Sequence, residues 1–151
     1  MNATSTADTI VKEISIDAPA AKIFAALTEP AQLTQWWGEE GKYRVEQMEA
    51  DLRVGGRWQT TGTSSDGRRF VVEGVYREID PPRILAYTWA HDWGDADRAE
   101  TLVRFDLTER GGSTLVKVTH SGFADPQSRD DHARGWTIVL GWLSAFVIGK
   151  A

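Results

Sequence analysis

His120 is the side chain best placed by its type and setting to do chemistry. It lies in the run Val116-Lys117-Val118-Thr119-His120, and alternate residues of a strand share one face. That parity puts His120 with Val116 and Val118, on the dry side of a half-buried strand. A histidine there can act as general acid or base, or hydrogen-bond the polar end of a ligand. It can equally be a satisfied core histidine holding a neighbouring backbone group. No partner at catalytic spacing stands beside it in the sequence.

The aromatic residues carry the second signal. Seven Trp in 151 residues are many, since such large amphipathic rings usually need a pocket or an interface. Trp58, Tyr76, Tyr87, Trp89 and Phe105 can line a pocket from a sheet, or fill an ordinary core; both give the same binary pattern. Trp136, Leu140 and Leu143 raise the same alternatives from a helix. Trp36-Trp37 can form a cavity mouth, with Trp37 against the ligand, or can divide into one core ring and one surface ring.

Other clusters read as surface. Asp92, Asp95, Asp97 and Glu100 lack the glycine and bidentate glutamate of a calcium loop, so a polar hairpin or lid loop is expected, with His91 on its surface. Asp130, Asp131 and His132 read as a solvated first helical turn, where acids are favourable. The absence of cysteine removes disulfides, thiolate nucleophiles, zinc fingers and iron–sulfur clusters. Gly55-Gly56 leads into a strand and is too short for a phosphate loop. No Gly-x-Ser-x-Gly elbow occurs. No cofactor and no metal are expected.

The elements that must hold these residues follow from periodicity. Thr9 to Ile16 reads as a strand, and Asp17-Ala18-Pro19 as the start of a helix carrying Ile23, Phe24 and Leu27 on one face. Glu29-Pro30 stops that helix, and a short second helix runs from Pro30 to about Trp37. Period-two segments then predict strands at 43–49, 56–63, 70–79, 83–89, 100–109 and 113–123. Ser65-Asp66-Gly67, Asp80-Pro81-Pro82 and Gly111-Gly112 supply the turns. From Ser128, with Asp131 as its capping-box partner, to Ile148, an apolar stripe holds Trp136, Val139, Leu140, Leu143, Phe146 and Val147 at helical spacing. Gly135 and Gly141 each cost about 1 kcal/mol in a helix interior, so packing must offset them or something must approach closely there.

Residues 1–8 are expected to form a flexible N-terminus and 9–149 a single domain. A chain of this length has room for one core. Net charge is −5, from 17 basic against 22 acidic residues, which argues against a surface that tracks nucleic-acid phosphates. No run of 18 apolar residues exists, so no membrane insertion is expected. Met1 to Asp8 has neither the basic nor the apolar region of a secretory signal. The expected location is cytoplasmic.

Taken together, Ala18-Pro19 before Phe24-Ala25-Ala26-Leu27, Trp36-Trp37-Gly38, Gly55-Gly56-Arg57-Trp58 and Gly74 resemble a known family. So do Ile79-Asp80-Pro81-Pro82-Arg83-Ile84-Leu85 with Tyr87-Thr88-Trp89, Thr119-His120-Ser121-Gly122-Phe123, and Gly135-Trp136. The chain resembles the START/Bet v 1-like superfamily and, within it, bacterial homologues of the C-terminal domain of the Hsp90 ATPase activator. The resemblance spans about Thr9 to Val147. It implies an α+β helix-grip fold: a curved antiparallel sheet of six to seven strands, two short helices, and a long C-terminal helix across the concave face. It also implies a cavity between sheet and helix that binds hydrophobic small molecules. Family members include lipid carriers, hormone receptors, polyketide cyclases and co-chaperone domains, and fold alone does not choose among them. The eukaryotic activator carries a separate N-terminal domain for which this chain has no room.

The resulting expectation is a module that binds a small apolar or aromatic ligand between Trp37, Trp58, Tyr76, Tyr87, Trp89, Phe105 and His120 and the helix residues Trp136, Leu140 and Leu143. Two alternatives stay open. One is a cofactor-free enzyme of cyclase or hydrolase type in the same cavity, using His120 with Tyr76 or Tyr87. The other is a chaperone-interacting module. No nucleic-acid partner is expected, and the chain is expected to be a monomer or a weak homodimer.

Overall fold

The period-two runs build one antiparallel sheet, and the helical stripe lies across it. The computed structural model describes residues 8–39, 42–91, 100–123 and 126–149. Its strands are β1 (Thr9–Ile16), β2 (Gly38–Glu39), β3 (Tyr43–Ala50), β4 (Arg57–Ser64), β5 (Arg69–Asp80), β6 (Ile84–His91), β7 (Thr101–Arg110) and β8 (Ser113–Ser121). The helices are α1 (Ala20–Thr28), α2 (Pro30–Trp36) and α3 (Pro126–Val147). The eight strands follow the order β1-β8-β7-β6-β5-β4-β3-β2, each pair antiparallel. This is the α+β helix-grip arrangement, with eight strands in place of six to seven. The additional strand, β2, has two residues and is too short to show alternation.

Local chemistry bends the sheet around the site. Register shifts between Val45 and Gln47 and between Tyr76 and Glu78 mark bulges, which bend a strand and increase its twist. The β7–β8 turn uses Gly111 and Gly112, both at positive φ, as a two-residue hairpin of the favoured twist requires.

That hairpin also fixes the first helix. Pro19 at the N-cap has no side-chain acceptor, so the Ala20 N–H donates instead to Glu109 Oε1 at 2.8 Å. The Thr114 hydroxyl donates to Ala18 O at 2.7 Å. Glu29 is extended, as the residue before Pro30 must be, and α2 turns back on α1. Trp36 Nε1 donates to Ala26 O at 2.9 Å and ties the two helices together.

The long helix buries Trp136, Val139, Leu140, Leu143 and Val147, and at 1.5 Å per residue it spans about 33 Å. Arg129 Nε donates to Thr9 O at 3.0 Å near its start; Trp142 Nε1 donates to Glu39 Oε1 at 2.9 Å near its end. The expected capping box is corrected. The helix begins at Pro126, a favoured first residue, so Ser128 already lies inside the first turn. Asp131 Oδ1 accepts from Gln127 Nε2 at 3.1 Å and pairs with Arg134. Among the described residues, nothing lies within 4 Å of where a Cβ would stand at Gly135 or Gly141, so neither glycine serves a close approach by another described part of the fold. Among the described residues, no helix is long and apolar enough to cross a membrane.

Candidate functional site

The concave sheet and α3 enclose a cavity of about 460 Å³, within the roughly 300–1,000 Å³ range of small-molecule sites. Inward-facing Trp58 and Thr60 of β4, Phe70, Val72 and Tyr76 of β5, and Tyr87 and Trp89 of β6 form its floor. Tyr43, Val45 and Met48 of β3 close one side, with Leu27, Leu33 and Trp37 from the α1–α2 region. The roof is His132, Gly135, Trp136 and Val139, which recur at helical spacing on one stripe of α3.

Seven of the ten expected site residues meet around this space: Trp37, Trp58, Tyr76, Tyr87, Trp89, His120 and Trp136. Phe105, Leu140 and Leu143 do not reach it. Phe105 lies beneath Trp136, with ring centres 5.7 Å apart. Leu140 and Leu143 continue the same stripe further along α3 and are buried in the core. Parity and periodicity place the strand and α3 residues among the ten on the faces that meet, but which of them reach the space depends on position along each element.

His120 is fully committed inside the fold. An indole N–H can only donate, so Trp136 Nε1, 3.0 Å from His120 Nδ1, makes Nδ1 the acceptor. The proton of the neutral ring is therefore on Nε2, which donates to Thr101 Oγ1 at 2.6 Å. The Thr101 hydroxyl in turn donates to Trp89 O at 3.0 Å. Burial, with His132 and His91 nearby, pushes the His120 pKa down to about 3. The arrangement is that of a satisfied core histidine, with no ring nitrogen left to accept a substrate's proton.

Two other histidines are corrected. His91 is buried at the end of β6 instead of lying on a loop surface. His132 is half-buried instead of solvated; its Nδ1–H donates to Ser128 O at 2.8 Å. Trp89 sits among all three imidazoles, with ring centres 5.1–5.3 Å away. Among the described residues, no three His, Cys, Asp or Glu side chains are grouped to hold a metal. Of the acidic cluster, Asp92, Asp95 and Asp97 lie outside the described residues, and Glu100 is exposed.

Both readings of Trp36-Trp37 hold in part. Trp36 is core, whereas Trp37 is half-buried and lines the cavity. Trp37 Nε1 donates to the Tyr43 hydroxyl at 3.2 Å. Burial raises the Tyr43 pKa and this bond opposes the rise. Tyr76 has no such bond, and burial pushes it up to about 12. Tyr87 is raised as well, by burial first and by neighbouring Tyr76 second. Both phenols therefore stay protonated at neutral pH. Trp58 Nε1 is buried without a hydrogen-bond partner, a state that costs about 1–3 kcal/mol.

Polar residues mark the mouth. Ser64, Arg68 and Arg69 come from the β4–β5 hairpin and Asp131 from α3. Each charge has an opposite neighbour: Arg68 with Asp66 at 3.6 Å, Arg69 with Glu46 at 3.7 Å, and Asp131 with Arg134. Exposed pairs of this kind contribute little to stability, but they give each of these three charges a counter-charge at the opening.

Comparison with known proteins agrees with the fold. Residues 17–147 match the family described as Activator of Hsp90 ATPase homolog 1-like protein. The chain is similar in structure to protein CV1439 from Chromobacterium violaceum (24% identity, TM-score 0.79, covering 93% of this chain and 97% of that one). It is similar to a Rhodobacter sphaeroides protein (23%, TM-score 0.80, 96% and 95%), and to CalU16 from Micromonospora echinospora (24%, TM-score 0.72, 92% and 75%). No curated protein matches the chain significantly. The likenesses to solved structures carry the fold.

Proposed function

The chain belongs to the Activator of Hsp90 ATPase homolog 1-like family, and from that premise we propose that it is a cytoplasmic binding protein for a small apolar molecule. The observation that carries this reading is the cavity of about 460 Å³ between sheet and α3, walled largely by aromatic and aliphatic side chains. A filled core would close such a space, because voids larger than a water molecule are few in a packed interior. Burial of an apolar ligand there would supply about 25 cal/mol for each Å² removed from water.

The cofactor-free enzyme reading is weaker. It needs His120 as acid or base, yet both ring nitrogens are engaged by Trp136 and Thr101. The test is native mass spectrometry of protein purified from its own host, followed by a screen of apolar compounds. A co-purified small molecule, or saturable binding of an apolar compound, supports the reading. Unliganded protein that binds no apolar compound contradicts it.

A further inference from the structure

Trp58, Tyr76 and Tyr87 stand together at one corner of the cavity. Tyr76 and Tyr87 are direct partners across β5 and β6. The Tyr87 ring lies edge-on to Trp58 at 5.1 Å and to Tyr76 at 6.3 Å. Each of the three brings a hydrogen-bond donor to a wall that is otherwise mostly apolar: one indole N–H and two phenol O–H groups. Trp58 is 7% exposed, and its N–H has no partner. That is unlike Trp36, Trp37, Trp136 and Trp142, whose N–H groups all find acceptors. Buried donors are nearly always satisfied in native proteins; this one packs over Gly74 on a residue that lines the cavity, and its acceptor would arrive with a ligand that shifts the indole off that glycine.

We propose that this corner is the recognition subsite of the cavity, and that its ligand is a neutral apolar molecule bearing an acceptor oxygen, such as a ketone or quinone carbonyl, seated against Trp58 Nε1 and the hydroxyls of Tyr76 and Tyr87. The inference rests on the ligand-binding reading above and adds the chemistry of the ligand's polar end. A carboxylate fits less well, because a buried anion needs a paired cation. Among the described residues, the arginines that line the cavity are Arg68 and Arg69, and both lie at the mouth beside acids of their own.

Benzophenone and diphenylmethane test this, since they share two phenyl rings and differ in a carbonyl against a methylene. Dissociation constants for both are measured by equilibrium dialysis on the wild type and on Trp58→Phe, Tyr76→Phe and Tyr87→Phe, with circular dichroism to check folding. The expected result is a loss of about 3- to 10-fold in benzophenone affinity for Trp58→Phe and for at least one tyrosine variant. Diphenylmethane affinity should stay within about twofold. The Trp58 indole proton should move further downfield with benzophenone than with diphenylmethane. Should Trp58→Phe not fold, the two tyrosine variants and the wild-type indole shift decide. Benzophenone binding that none of the folded variants weakens overturns the subsite while leaving the cavity reading intact. Failure of both probes to bind the wild type overturns both.

Discussion

The Trp136 indole N–H donates to Nδ1 of His120 at 3.0 Å, joining α3 to β8 through two buried side chains. The same bond that seats the helix fixes the tautomer of the imidazole. The residue best suited by type to acid–base chemistry is thereby used to close the fold.

A pH dependence follows. Folded His120 takes up a proton only near pH 3, against about 6.5 in an unfolded chain. Between those values the unfolded state binds more protons, so the stability due to this residue is complete above about pH 6.5. It falls by about 1.4 kcal/mol per pH unit as pH drops toward 3. Urea unfolding at pH 7, 6 and 5 should show this slope in the wild type. His120→Gln should be less stable at pH 7 and lack that one-proton component; parallel slopes would contradict it.

Removing the indole donor tests the same bond from the other side. Trp136→Phe keeps most of the ring but leaves His120 Nδ1 buried and unpaired. A loss of about 1–3 kcal/mol is expected, with the His120 imidazole shifts changed in NMR spectra. A variant as stable as the wild type would remove the bond from the account.

Glycines of opposite sign test the packing. A Cβ at Gly74 would stand 1.8 Å from Thr88 O and 2.7 Å from Trp58 Nε1, so Gly74→Ala should cost about 1–3 kcal/mol. At Gly141, exposed on α3 with none of the described residues within 4 Å of an added Cβ, alanine should stabilise by about 0.5–1 kcal/mol. Thermal unfolding of the two variants gives both signs.

Much of this fold was legible because alternation is strong in the strands from 57 to 121 and the apolar stripe of α3 has one period. What escaped has physical causes. β2 is too short to show a period. Leu27 and Leu33 enter the cavity wall through the packing of α1 and α2, and Tyr43, Val45 and Met48 through the curl of the sheet; neither leaves much trace in single-residue patterns. His91 and His132 read as surface residues because both sit in polar local sequence; their burial comes from packing around Trp89, a contact between distant parts of the chain. Phe105, Leu140 and Leu143 lie on the expected faces but away from the cavity, where other side chains pack against them.

Nucleic acid should not bind. With net charge −5, counterion release can contribute little. Electrophoretic shifts at physiological salt are expected to be blank, and a salt-sensitive micromolar shift would refute this.

The central claim is that the space beneath α3 is a ligand site, and its wall residue Val139 gives the most direct measurement. Indole N–H resonances of the wild type and of Val139→Phe are followed during titration with an apolar compound panel, diphenylmethane included. The account predicts saturable shifts at Trp37, Trp58 and Trp136 in the wild type, with buried Trp36 moving least. It predicts that Val139→Phe stays folded and loses those shifts. The contradicting result is a wild type whose cavity indoles respond to no compound in the panel, or shifts that survive unchanged when Val139 is replaced.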